Sequence, residues 1–232
     1  MAVCRLCATA VCVLECCCSL SQVKRIKRQE SKASDIKESD TALHENFMLE
    51  VAFAAYLTGP RYVSQFLGAA SLNEGKALVF DLYEQGSLKK VLLTDKKFSG
   101  PGDLPKVVDM LMDACAGLYH LHQNHVIHRD VATRNFLLDG DRVRICDFGL
   151  AAYVPPEQNN TGTGWKFGPI PWMAPEALRE GIFSEQTDVY MFGIMLVEVF
   201  SRSAPYSPQF RRKIGGLKGL RQQVRNLHSS NR

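Results

Sequence analysis

The chain has 232 residues, 46% hydrophobic and 22% charged, with a formal net charge of +4. This composition excludes a disordered chain and a histone-like or acidic-tail protein, and the length allows one or two domains with a real core. No apolar run approaches the roughly 18–20 residues of a membrane span. The charge is unevenly spread: Arg202, Arg211, Arg212, Lys213, Lys218, Arg221, Arg225 and Arg232 follow the last acid, Glu198, so the body is mildly acidic and the end strongly basic. Aromatic residues do not interleave with these bases as base stacking requires, so nucleic-acid binding is not expected and the plain reading is a solvated tail. Cysteine is concentrated at the start, at positions 4, 7, 12, 16, 17 and 18, with only Cys115 and Cys146 in the body. A disulfide framework would be distributed through the domain, and no histidine stands near Cys4 and Cys7 to complete a zinc site, so the body reads as a protein of a reducing compartment.

Residues 1–20 carry a short apolar stretch, but Glu15 and the triple cysteine make a poor cleavage region for a secretory signal. Residues 28–45 read as a polar loop. Asn46–Leu57 has helical spacing, with apolar residues at 47, 48, 51 and 54 and Glu50 among them. Val63–Ala69 and Lys76–Leu82 read as strands about the turn Asn73-Glu74-Gly75. A short helical segment is expected over Leu88–Leu93 and a long amphipathic helix over Leu104–His122. Phe136–Leu138 and Val143–Ile145 flank the turn Asp139-Gly140-Asp141. Residues 155–171 form a loop, and Thr187–Phe200 is apolar enough for a buried helix. A small strand-containing part therefore precedes a mainly helical one.

The informative stretch is His128-Arg129-Asp130-Val131-Ala132-Thr133-Arg134-Asn135, followed by Asp147-Phe148-Gly149 and Ala174-Pro175-Glu176. In this order and spacing the three motifs resemble the signature set of eukaryotic protein kinases, over about residues 20–210. The resemblance implies an α+β, two-lobed protein-kinase-like fold, here with an incomplete small β-lobe and a mainly helical large lobe. Three segments are expected: a non-matching cysteine-rich stretch at 1–20, a partial kinase domain at 21–210 and a basic tail at 211–232. It also implies a cytoplasmic enzyme, or the cytoplasmic part of a larger membrane-associated one, using ATP and Mg²⁺ on a protein substrate.

Phosphoryl transfer depends on positioning and charge neutralisation, which gives each matching residue an expected role. Asp130 would orient the substrate hydroxyl and accept its proton. Asn135 and Asp147 would supply oxygen ligands to Mg²⁺. Lys24, after Val23, best matches the lysine that holds the α- and β-phosphates and pairs with Glu50; Lys27 is the other register. Phe80 matches the residue guarding the back of the nucleotide site, Asp81 and Tyr83 the backbone that meets adenine, and Asp188 the buried acid that braces the catalytic loop. Arg129 is a cation suited to a phosphate on the segment 147–176, where Tyr153, Thr161 and Thr163 offer hydroxyls.

Ala132 stands where serine/threonine kinases carry lysine, and Arg134 two positions later resembles the tyrosine-kinase arrangement. Pro171 departs from that branch, which has a cation there, so a tyrosine-kinase-like enzyme acting on Ser/Thr remains the alternative. Two further departures matter. Residues 1–23 contain no glycine, so no Gly-rich phosphate loop precedes Lys24, and the stretch after Tyr206 shows no match to the family's late helices. Leu217, Leu220, Val224 and Leu227 fit one face of a basic helix suited to patching the core or touching an acidic membrane surface. These departures keep open a pseudokinase-like scaffold or an inactive kinase fragment.

Overall fold

The computed structural model describes residues 21–25, 40–72, 75–95, 97–161 and 168–206. The expectations for the cysteine-rich start, Lys27, the turn at Asn73 and Glu74, Thr163 and the basic tail lie outside these residues.

The first region is a three-stranded antiparallel sheet with one helix. β1 (Ser21–Arg25), β2 (Phe66–Leu72) and β3 (Gly75–Asp81) stand in the order β1-β3-β2, with α1 (Asp40–Leu57) between β1 and β2 in sequence. The register sets Lys24 opposite Leu78 and Ala69 opposite Leu78 on the other edge. α1 begins at Asp40, earlier than its apolar spacing indicates, because its first turns are polar and carry no periodic signal. β2 starts at Phe66 rather than Val63. The Val63 amide closes a turn onto the Pro60 carbonyl, and Val63 bridges Ile145 in parallel instead of joining the sheet.

The second region is mainly helical. A π-helical turn (Lys89–Thr94) and a 3₁₀ turn (Pro101–Asp103) lead into α2 (Leu104–Gln123). Proline in the first turn of α2 costs nothing, since that N–H has no helical partner. Val107, Met110, Leu111, Ala114, Leu118 and Leu121 recur at helical spacing and form its buried face. Two two-stranded sheets follow: β4 (Val126–Ile127) pairs with β7 (Ala152–Tyr153), while β5 (Phe136–Asp139) and β6 (Arg142–Ile145) form a hairpin. Gly140, at φ 62°, supplies the left-handed turn of that hairpin. α3 (Pro175–Glu180) stops at Gly181 in the same conformation, and α4 (Glu185–Ser201) opens on Ser184, whose hydroxyl accepts from the Thr187 amide.

α4 is apolar on both sides but buried on only one. Met191, Met195 and Val199 are in the core, whereas Val189, Val197 and Phe200 are more than half exposed. Its end is anchored by Arg202, whose guanidinium donates to the carbonyls of Leu92 (3.2 Å), Lys97 (2.9 Å) and Phe98.

One apolar cluster joins the two regions. It runs from Phe47, Ala54 and Leu57 of α1 through Leu78 and Phe80 of β3 to the inner faces of α2, the β5–β6 hairpin and α4. Burying each large apolar side chain contributes about 1.5–3 kcal/mol, so this shared cluster fixes the regions against each other. Gly117 marks the closest approach: a Cβ there would stand 2.9 Å from the Tyr62 carbonyl oxygen and 3.1 Å from Ile145. No helix among the described residues is long and apolar enough to cross a membrane.

Candidate active site

The loop 128–135 runs between β4 and β5, and its shape is imposed by Asp188 near the start of α4. Asp188 is fully buried and accepts from the backbone amides of His128 (2.7 Å) and Arg129 (2.8 Å) and from the His122 ring (3.0 Å). A buried carboxylate is tolerable because these donors replace water. Gripping two consecutive amides turns the chain sharply: Arg129 has φ 63°, a conformation that costs a non-glycine residue energy and persists only where the surroundings enforce it. His128 is also locked. Its Nδ1 accepts from the Asp130 amide at 3.2 Å, so its Nε2 carries the proton and donates to the Cys146 carbonyl at 3.1 Å. Its ring meets Phe148 edge-on at 5.9 Å.

This scaffold presents Asp130 at the mouth of the loop, partly accessible. Asn135 Nδ2 donates to its carboxylate and to its backbone carbonyl, both at 2.7 Å, and the Arg134 guanidinium pairs with its other carboxylate oxygen. Asp130 therefore has a fixed orientation and an adjacent cation. The Cys146 amide donates to the Asn135 carbonyl at 3.0 Å, which continues the β5–β6 ladder one step and brings Asp147 beside Asn135. Asp147 has φ 67°, a second non-glycine residue held in the left-handed region. Its carboxylate and that of Glu50 both border Gly149: a Cβ on that glycine would lie 3.4 Å from Asp147 Oδ1 and 3.5 Å from Glu50 Oε2. Glu50 is 6% exposed, so α1 delivers a buried acid from the first region to the metal-binding candidate of the second.

Of the sequence-predicted residues, Asp130, Arg134, Asn135, Asp147 and Glu50 thus gather around one mouth. Lys24 lies in β1 opposite Leu78; its side chain lies outside the described residues. Phe80 is buried and stacks edge-on against Phe66 at 5.5 Å. The Asp81 amide donates to the Gln65 carbonyl at 3.1 Å, and the Tyr83 carbonyl accepts from the Gly86 amide at 2.9 Å. The Tyr83 side chain is buried, its hydroxyl accepts from the Gln65 amide at 2.9 Å, and burial pushes its pKa up.

Arg129 serves the segment after Gly149 without needing a phosphate. It donates to the Leu150 carbonyl and, at 3.3 Å, to the Ala151 carbonyl, and its guanidinium lies over Phe183 at 5.6 Å. Burial pulls its pKa down to about 10, with Asp188 acting in the opposite direction. Thr161 exchanges hydrogen bonds with Phe183: its amide donates to the Phe183 carbonyl (2.9 Å) and its hydroxyl accepts from the Phe183 amide (3.3 Å). Tyr153 is exposed on β7.

The motif reading missed Glu198, Thr133, Trp172 and His122. Glu198 carried the clearest signal, a lone acid within the otherwise apolar end of α4. His122, on the last turn of α2, is recognisable only through Asp188, 66 residues away.

The chain resembles known kinases across most of its length. It is 35% identical over 182 residues to the dual specificity protein kinase shkA of Dictyostelium discoideum, covering 75% of this chain and 33% of that protein. It is 33% identical over 181 residues to the human cytoplasmic tyrosine-protein kinase BMX, covering 78% of this chain and 26% of that one. A probable receptor-like serine/threonine-protein kinase of Arabidopsis thaliana is 30% identical over 190 residues, or 80% of this chain and 31% of its own. The chain spans a quarter to a third of these relatives. The family model described as protein tyrosine and serine/threonine kinase matches residues 20–225, the stretch holding the braced loop, Asp147 and Glu50, and the chain belongs to that protein kinase family.

Proposed function

We propose that this chain transfers the γ-phosphate of ATP to a protein hydroxyl, most readily that of tyrosine, in the cytoplasm. The observation that supports tyrosine is Arg134. It pairs with Asp130 from four residues away and lies over Trp172 at 4.6 Å, so the cation comes from beyond Ala132 rather than from a lysine at that position. In this reading Asp130 receives the hydroxyl proton, and its bonds to Asn135 and Arg134 keep the carboxylate aimed at the incoming oxygen. Arg134 offsets negative charge gathering on the transferred group. Lys24 holds the α- and β-phosphates and pairs with Glu50. Asp81 and Tyr83 offer backbone groups to adenine.

The donor set suits Mg²⁺. Asp147 contributes a carboxylate, and Asn135, whose amide nitrogen is committed to Asp130, contributes its amide oxygen; both are hard oxygen ligands and leave room for water and phosphate oxygens. Bound there, the ion would neutralise phosphate charge.

The test is phosphate incorporation from labelled ATP into peptides bearing a single Tyr, Ser or Thr, using the purified chain and its Asp130→Asn variant. Incorporation into the tyrosine peptide that disappears in the variant, while nucleotide binding persists, is the expected result. Undiminished transfer by the variant would overturn the assignment of Asp130, and transfer only to Ser or Thr would overturn the tyrosine preference. A second reading, a pseudokinase-like scaffold or inactive fragment with weak nucleotide binding, draws on the absence of glycine from residues 1–23. It predicts no transfer by the unaltered chain.

A further inference from the structure

Residues 82–88 connect β3 to the π-helical turn, and backbone bonds tie this connection near both ends. The Asp81 amide donates to the Gln65 carbonyl at 3.1 Å, and the Gly86 carbonyl accepts from the Leu138 amide at 2.9 Å. Between these ties stands Tyr83, which is 6% exposed. Its hydroxyl accepts from the Gln65 amide at 2.9 Å, and the Arg144 guanidinium lies over its ring at 5.6 Å, within range of a cation–π attraction. Burial raises the Tyr83 pKa, and the Gln65 amide and the Arg144 charge oppose that rise, as they should for a phenol held between the two. Arg144 has partners on two further segments. It pairs with Asp139 of β5 at 2.8 Å and donates to the Val63 carbonyl at 3.3 Å. Val143 and Ile145 beside it are fully buried and hold β6 in the core. The Ile145 amide donates to the Tyr62 carbonyl (2.8 Å), and its carbonyl accepts from the Ser64 amide (2.9 Å), so β6 is also stitched to the loop before β2. Asp147 follows three residues after Arg144. One guanidinium therefore joins the connection, the loop before β2 and the strand that leads to Asp147.

An apolar residue at 83 would serve packing alone. A phenol adds an acceptor, and its bond to the Gln65 amide fixes how far the ring reaches. A planar guanidinium can donate along its edges while its face rests on a ring, so Arg144 holds Asp139 and Val63 without giving up Tyr83. Together the two side chains specify a spacing between the connection and β6, which apolar contact leaves tolerant of small shifts. We propose that Arg144 is a positioning residue that acts through the Tyr83 ring to fix residues 82–88 against β6, and so sets the reach from the backbone offered to adenine to the proposed metal ligand Asp147. The nucleotide part rests on the kinase reading above; the contact itself needs no ligand.

The experiment compares the full chain with Arg144→Ala, Arg144→Gln, Tyr83→Leu and the double variant Arg144→Ala/Tyr83→Leu. The readouts are hydrogen–deuterium exchange in peptides from residues 82–88 and from α2, and calorimetric affinity for ATP with magnesium. Arg144→Ala should speed exchange in 82–88 about fivefold and weaken ATP binding about fivefold, with exchange in α2 unchanged. Arg144→Gln keeps a donor for Asp139 but loses the charged face over the ring; it should match Arg144→Ala, and it takes that variant's place if Arg144→Ala does not fold. Tyr83→Leu removes the ring on which Arg144 rests, so the double variant should be no worse than the poorer single change. Equal acceleration in α2 and 82–88, losses that multiply in the double variant, or native exchange in 82–88 of a folded Arg144 variant would each overturn the proposal. Faster exchange in 82–88 with unchanged ATP affinity would overturn the claim that the contact sets the reach to Asp147. Exchange that behaves as expected in a chain that binds no ATP would overturn the nucleotide part of the kinase reading and leave the contact standing.

Discussion

The sheet-and-helix region and the mainly helical region are organised differently. In the first, β3 is flanked by two strands and the ladder is the main connection, while Met48, Leu49, Tyr56 and Leu67 remain largely exposed. In the second, buried polar groups do the organising. Among the described residues, Asp113, His128, Arg129, Thr133, Asn135, Thr187, Asp188 and Glu198 are buried there, against Glu50 and Ser64 in the first region. Apolar packing is tolerant of small shifts, whereas hydrogen-bonded carboxylates fix direction and are costly when left unpaired. The contrast matches the tasks proposed for the two regions. One is proposed to cover a nucleotide; the other is proposed to hold Asp130, Asn135 and Asp147 in fixed relation.

The sharpest way to break this contrast is Asp188→Ala. It leaves the amides of His128 and Arg129 and the His122 ring without their acceptor, and stability should fall by about 3–5 kcal/mol. Against a typical total of about 5–15 kcal/mol, that is close to unfolding. Urea denaturation measures it; a loss under about 1 kcal/mol would mean that buried polar bonds do not dominate this region.

Gly117→Ala tests the contact between the regions. The added methyl meets the Tyr62 carbonyl and Ile145, so a loss of about 1–3 kcal/mol is expected. Gly193→Ala is its control on α4. Nothing lies within 4 Å of the new Cβ, and alanine there should raise stability by up to about 1 kcal/mol. Thermal melts of the two variants moving in the same direction would remove the basis for a tight contact at Gly117.

Asp147→Asn addresses the proposed metal site. ATP affinity in the presence of magnesium should fall by about tenfold, or about 1.4 kcal/mol, with a smaller change in its absence. Equal losses in calorimetric titrations with and without magnesium would show that Asp147 does not act through the ion.

The smallest expected effect concerns Tyr83, in the connection between the regions. Burial raises its pKa above the ordinary value of 10.0, so the unfolded chain ionises first as pH rises. Its contribution to stability is complete below pH 10.0 and is lost as pH climbs through the raised folded value. Tyr83→Phe should lack that alkaline loss, and denaturation curves across this pH range that superimpose for the two proteins would refute it.

The sequence by itself determined the order of elements and the family to which the chain belongs. The motif at 128–135, Asp147-Phe148-Gly149 and the periodic face of α2 are local patterns, and each is legible because side-chain spacing and backbone geometry share one short stretch of chain. Element ends were less legible. The polar first turns of α1 carry no apolar period, and the turn at Pro60 removed Val63 from its expected strand. The tertiary structure alone decided what joins distant segments. It brought Glu50 beside Asp147, gave the His128 and Arg129 amides to Asp188 some sixty residues away, and placed Glu198 between Thr133 and Trp172. These relations rest on buried hydrogen bonds, whose partners are selected by the position of a donor in three dimensions; a carboxylate in an apolar helix signals that it needs partners, and only the packed chain supplies them.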